Sequence, residues 1–164
     1  MLSEEEIKFI QKHAQGDPYQ LSLSKGLSEG LSLSKLVPQI QARQKLAHKL
    51  PSWIANNQLF FPPQLNLEQA SSEDTALFKA ELIQGKVIDL TGGMGVDTWA
   101  FAKKGNSVTY VERDEKLNQI TRYNHQVLVG DSIEHIVGDG VAYMKEHPSQ
   151  WNYIYLDPAR RGSK

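Results

Sequence analysis

Between Lys86 and Asp157 one unit recurs four times: a short apolar run reaching an acidic residue, then a turn and a helix-spaced pattern. Lys86-Val87-Ile88-Asp89-Leu90 is the first run, and Ser107-Val108-Thr109-Tyr110-Val111 leads to Glu112. Glu134 to Val137 precedes Gly138-Asp139-Gly140, and Tyr153-Ile154-Tyr155-Leu156 leads to Asp157. Runs this short and this apolar are those of strands covered on both faces. The segments between them read as helices: one through Trp99, Phe101 and Ala102 to Gly105, one from Glu115 to Leu128 with Leu117, Ile120 and Tyr123, and a short one from Val141 to Lys145. Alternating strands and helices imply right-handed crossovers and an α/β, doubly wound parallel sheet. Ligands of such sheets bind beyond the carboxyl ends of the strands, where Asp89, Glu112, Asp139 and Asp157 are expected to collect. A single acidic strand end is ordinary turn or cap chemistry, whereas four in register exceed what capping explains.

The chain before this region is built differently. Ser3 with Glu6 forms a capping box ahead of Ile7, Ile10 and Ala14, and Asp17-Pro18 resembles a second helix start. From Leu21 to Leu36 Leu alternates with Ser, but Gly26 and Gly30 interrupt the pattern, leaving strand, helical turns and loop all open. Ile40, Ala47 and Leu50 mark a helix from about Lys35 to Lys49 that Pro51 should stop, followed by an apolar connector from Trp53 to Pro63. Asn66 with Gln69 reads as a further cap, and Ala76, Leu77, Ala80 and Ile83 carry a helix to Gly85. The expected division is a small helical region over 1–64 and a ligand-binding α/β domain over 65–164. The front helices read either as a bundle covering the sheet domain's edge or as a substrate-facing lid.

Composition narrows the chemistry. With 18 Lys and Arg against 19 Asp and Glu the chain is nearly neutral, which excludes a uniformly basic nucleic-acid coat but not a local patch. It has no Cys, so disulfides, thiolate metal sites and cysteine nucleophiles are excluded, and its five His fit no zinc spacing, so no metal is expected. The N-terminus is acidic where a secretory signal would be basic, and no apolar run approaches the ~20 residues of a membrane span. A cytoplasmic protein is expected. A sheet ending after the fourth strand leaves Tyr and Ile on an open edge. The expectation is therefore that the sequence is the front portion of a longer polypeptide, or that the edge is covered by the front helices or by self-association with a second copy.

In Asp89-Leu90-Thr91-Gly92-Gly93-Met94-Gly95-Val96-Asp97, Gly93 and Gly95 let a ligand approach the backbone, and the next helix offers free N–H groups to an anion. Aligned on a dinucleotide fingerprint, Thr98 stands where the third Gly belongs, and no Gly-Lys-Ser/Thr phosphate loop follows. A nicotinamide-dependent oxidoreductase is thus the weaker alternative. A ligand with an ammonium group for Asp89, a carboxylate for the helix and a ribose for Glu112 fits better, because a carboxylate accepts from both sugar hydroxyls.

The ordered motifs VIDLTGGMG, VTYVERDEKL, IVGDGVAYM and YIYLDPAR resemble those of class I S-adenosylmethionine-dependent methyltransferases over residues 86–161. The resemblance implies a Rossmann-like fold and S-adenosyl-L-methionine as cofactor. It places Asp89, Thr91, Gly93 and Gly95 around the methionine part, Glu112 on the ribose, Arg113 beside the adenine and Asp139 on its amino group. Thr91 departs from the family, standing where the first Gly of GxGxG is usual. Asp157-Pro158-Ala159-Arg160 is similar to the Asp/Asn-Pro-Pro-aromatic signature of enzymes that methylate exocyclic amino groups of bases, implying that Asp157 and Pro158 are catalytic. Arg160 departs from the aromatic residue; with Arg161 and Lys164 it forms a basic cluster that reads either as an RNA-binding contact or as a solvated turn. The wider pattern resembles bacterial methyltransferases with a C-terminal THUMP-like RNA-binding domain, and trimethylguanosine synthase-type and ribosomal RNA guanine-N2 methyltransferases. That likeness places Thr75 near the cofactor. The implied function is methylation of an exocyclic nitrogen of an RNA base, with a cofactor-binding half-module lacking turnover as the other reading.

Overall fold

The computed structural model describes residues 1–24, 30–62, 64–148 and 150–158, without the side chains of 64–66. The chain forms two units, Met1–Leu67 and a second from Glu68 onward.

The first unit is helical. Helices α1 (Glu4–Lys12), α2 (Pro18–Leu23) and α3 (Leu33–Leu46) pack Phe9, Ile10, Leu21, Leu36 and Ile40 into one core. The capping box is present, with Glu6 N donating to Ser3 Oγ and Ser3 N to Glu6 Oε2. Glu6 also receives Lys35 Nζ at 2.7 Å, tying α1 to α3. The ambiguous Leu–Ser segment resolves as helix at both ends, in α2 and from Leu33; residues 25–29 lie outside the described residues. Pro51, expected to stop a helix, instead starts the next one, α4 (Pro51–Ala55), because Pro lacks the N–H that a first helical position leaves unpaired. Helix α5 (Gln64–Gln69) spans the division between the units in sequence.

In the second unit Ser72, not Asn66, caps α6 (Glu73–Glu81), its Oγ accepting from Thr75 N at 3.2 Å. That helix ends before Gly85, whose positive φ of 120° instead turns the chain into β1 (Lys86–Asp89). Then follow α7 (Val96–Lys103), β2 (Ser107–Glu112), α8 (Glu115–Val129), β3 (Ile133–Val137), α9 (Gly140–Glu146) and β4 (Tyr153–Tyr155). All pairs are parallel, in the order β3-β2-β1-β4. This is the expected α/β sheet. The order reverses at β1, so the crevice where such sheets take ligands lies between the tips of β1 and β4. In β1 and β2 the residues Val87, Ile88, Val108, Tyr110 and Val111 are buried, whereas Ile154 of β4 and Val137 of β3 are each half exposed. Among the described residues no helix is long and apolar enough to cross a membrane.

Candidate functional site at the strand tips

The turn from Leu90 to Gly95 is tied to every neighbouring strand. Leu90 N donates to Tyr155 O at 3.1 Å and Gly92 N to Val111 O at 3.0 Å. Glu112, at the tip of β2, accepts from Gly93 N at 2.8 Å through one carboxylate oxygen and from Asp114 N at 2.9 Å through the other. Thr91 Oγ1 accepts Asp157 N at 2.8 Å, bridging the reversal point between β1 and β4. A Gly at position 91 would have no side chain to make that bridge, which gives the departure from GxGxG a physical role.

The structure divides the four carboxylates that the sequence groups together. Asp89 is only 1% exposed and turns inward: Oδ2 accepts from Thr98 Oγ1 at 2.7 Å and Oδ1 from Thr91 N at 3.0 Å. Burial pushes its carboxyl up to about 6, partly countered by the Thr98 and Thr91 hydrogen bonds. Its two oxygens thus brace the turn and the start of α7. Asp139 caps α9 through Ala142 N at 2.9 Å and pairs with Arg113; these contacts, the cap first, hold its carboxyl below the usual range. Asp157 and Pro158 are exposed beyond β4. Thr75, exposed in the first turn of α6, shares a 2.7 Å hydrogen bond between its hydroxyl and that of Ser72. Arg160 and Arg161 lie outside the described residues, as does Lys164.

Beneath the turn lies a polar layer that apolar periodicity does not reveal. Tyr110 donates its hydroxyl to Gly93 O at 2.6 Å, and Thr121 donates to the same carbonyl at 3.2 Å. His125 Nε2 lies 2.8 Å from Gly95 O, and a carbonyl can only accept, so this nitrogen carries the proton. Nδ1 is then an acceptor, and His135 donates to it from Nε2 at 3.1 Å, leaving His135 Nδ1 buried with no hydrogen-bond partner among the described residues. Burial lowers His125 to about 4 and His135 to about 3, so both rings are neutral at pH 7. The buried face of α8 is Leu117, Asn118, Thr121, Asn124 and His125 rather than Leu117, Ile120 and Tyr123. The signal was available: Asn118, Thr121 and His125 recur at helical spacing, but polar residues on such a stripe are ordinarily read as solvent-facing.

The glycines separate by function. A Cβ on Gly92 would stand 2.3 Å from the Tyr110 ring, and one on Gly95 would stand 2.5 Å from Thr121 and 2.6 Å from His125. These two serve internal packing. Among the described residues a Cβ on Gly93, at φ 54°, would meet only Thr91 O at 3.6 Å, and one on Gly138 would meet nothing within 4 Å, so space for a side chain lies open at these positions. Beside the turn, Lys79 Nζ contacts Asp97 and Ser71 at 3.0 Å each and the Tyr155 hydroxyl at 2.7 Å. The lysine offsets the Asp97 carboxylate in the first turn of α7, leaving that helix start more hospitable to an anion. Among the described residues no group of three or more His, Asp or Glu could hold a metal.

No family model matches the chain. It is 28% identical over 99 residues to an uncharacterised RNA methyltransferase of Mycoplasma mobile, covering 60% of this chain and 27% of that protein. A solved structure from Porphyromonas gingivalis W83, provisionally described as a methyltransferase, matches with a TM-score of 0.78 and 30% identity over 98% of this chain and 42% of its own. The chain therefore spans about a quarter of the first relative's length and about two fifths of the second's, and its similarity is to methyltransferases in both sequence and fold.

Proposed function

We propose that the unit from Glu68 onward binds S-adenosylmethionine across the strand tips and serves methyl transfer to an exocyclic nitrogen of an RNA base. One observation supports this above the rest: a single glycine turn is hydrogen-bonded to the tips of β1, β2 and β4, with open space left over Gly93. The residues present suit the cofactor. Glu112 uses one lone pair of each oxygen on backbone N–H groups and keeps another for a ribose hydroxyl. The first turn of α7 offers N–H groups to a carboxylate. Arg113 and Asp139 flank the tip of β3, where the adenine would lie, with Gly138 leaving room beside them. Asp89, being buried, serves the ligand through the turn it braces.

When bound, the cofactor supplies a methyl carbon made electrophilic by its sulfonium. Asp157 and the Pro158 carbonyl accept hydrogen bonds from one exocyclic amino group, aim its lone pair at that carbon, and Asp157 takes the proton released. The chain's contribution is then chiefly positioning. The RNA target draws on the Mycoplasma relative, which is named an RNA methyltransferase. Transfer of labelled methyl groups into bulk RNA tests the reading: Asp157→Ala should lose at least about a hundredfold in rate while cofactor affinity stays within a few-fold. Equal loss of both would contradict the role given to Asp157. No transfer by the wild-type chain, with cofactor still bound, would support the half-module reading.

A further inference from the structure

Strand β4 is short and pairs with the sheet along one side, in the register Val87 with Tyr153, Ile88 with Ile154 and Asp89 with Tyr155. Its last residue is held twice: Leu90 N donates to Tyr155 O at 3.1 Å, and Lys79 Nζ donates to the Tyr155 hydroxyl at 2.7 Å. In a regular parallel ladder the next step would run from Asp157 N to Leu90 O. The chain departs from that pattern. Leu90 O lies against Gly140, where an added Cβ would come within 2.5 Å of it, and Asp157 N donates instead to Thr91 Oγ1 at 2.8 Å. A side-chain hydroxyl thus stands in for a backbone carbonyl. Its one hydrogen is directed to Asp89 Oδ1, 3.4 Å away, the oxygen that also accepts Thr91 N at 3.0 Å, so its lone pairs remain for Asp157. Asp89 is buried and receives Thr98 Oγ1 at 2.7 Å. A path of hydrogen bonds therefore runs from the first turn of α7, through the base of the glycine turn, to the backbone of Asp157. Leu156, between the two held residues, is 56% exposed, so packing does little to fix this stretch.

We propose that Thr91 is a positioning residue whose hydroxyl couples the glycine turn to Asp157. The inference rests on the reading of that turn as the cofactor's seat and of Asp157 as the acceptor for the substrate's amino group. A ligand that steadies the turn steadies the Thr91 hydroxyl, and with it the backbone that carries Asp157. The acceptor is then set in place once the methyl donor is bound.

Amide hydrogen exchange in the full chain, resolved by residue with NMR, tests this without turnover. Thr91→Val keeps the side chain's shape and removes the hydroxyl, whereas Thr91→Ser keeps the hydroxyl. The Asp157 amide should exchange about fivefold faster in Thr91→Val than in wild type, and within about twofold of wild type in Thr91→Ser. Saturating S-adenosylmethionine should slow that amide at least about threefold further in wild type and Thr91→Ser, and leave it unchanged in Thr91→Val. A hydroxyl that only stabilised the fold would not produce this last contrast. Equal Asp157 exchange in wild type and Thr91→Val, or slowing by S-adenosylmethionine that persists in Thr91→Val, would overturn the inference. Calorimetry on the same samples separates the two readings: a wild type that does not bind S-adenosylmethionine fells the cofactor reading and the coupling together, whereas binding without the Asp157 contrast fells the coupling alone.

Discussion

The inner and outer strands of the sheet differ more than their shared parallel pairing suggests. β1 and β2 are buried, and behind the turn joining β1 to α7 stand Asp89, Tyr110, Thr121 and His125, each hydrogen-bonded to that turn or to the start of α7. β3 and β4 are thin, with Val137 and Ile154 each 50% exposed, and their acidic residues Asp139 and Asp157 stand at the surface rather than in the core. The difference teaches where preorganisation lies: the glycine turn proposed to hold the cofactor is set by buried polar contacts, while the residues proposed for the adenine edge and the substrate stand where a partner can still reorder them.

Breaking the buried side should have the largest effect. Gly95→Ala introduces a Cβ into Thr121 and His125 at a φ of 76°, and overpacking plus a left-handed backbone should cost about 3 kcal/mol or more in urea unfolding. Gly138→Ala, with nothing within 4 Å, should stay within about 0.5 kcal/mol. Similar costs for the two would erase the contrast.

Asp89 sharpens it in the opposite direction. The unfolded carboxyl titrates near 3.8 and the folded one near 6, so the folded state holds this proton more tightly. This group therefore costs nothing below pH 3.8, lowers stability as pH rises between those values, and costs about 3 kcal/mol above them. Asn cannot ionise, so the stability of Asp89→Asn relative to wild type should rise by about 3 kcal/mol between pH 3 and pH 8. A pH-independent difference would mean that the buried carboxyl is not strained by its surroundings. A group that weakens the fold at neutral pH yet braces the ligand turn is what a functional site retains. The smallest effect belongs to the edge: Ile154→Thr on β4 should change unfolding stability by no more than about 0.5 kcal/mol.

Much of this arrangement is legible in the sequence. Strands such as Val87-Ile88 announce themselves because apolar residues alternate with helix patterns, and Asp89, Glu112 and Asp157 mark their ends. The inward turn of Asp89 is not legible, because it depends on Thr98 lying in the first turn of α7 and on a cover of buried neighbours. The polar face of α8 and the hydrogen bonds from buried Gln39 to Phe61 O and from buried Arg43 to Leu59 O are hidden for the same reason. A buried polar residue is identified by its partner, and the partners of His125, Gln39 and Arg43 are backbone carbonyls 30, 22 and up to 16 residues away.

Isothermal titration of S-adenosylmethionine into wild-type protein and Glu112→Ala tests the central claim most directly. Micromolar binding by the wild type, weakened at least tenfold in the variant through loss of a charged acceptor, is the predicted result. NADH binding in place of S-adenosylmethionine, or equal affinity in both proteins, would contradict it.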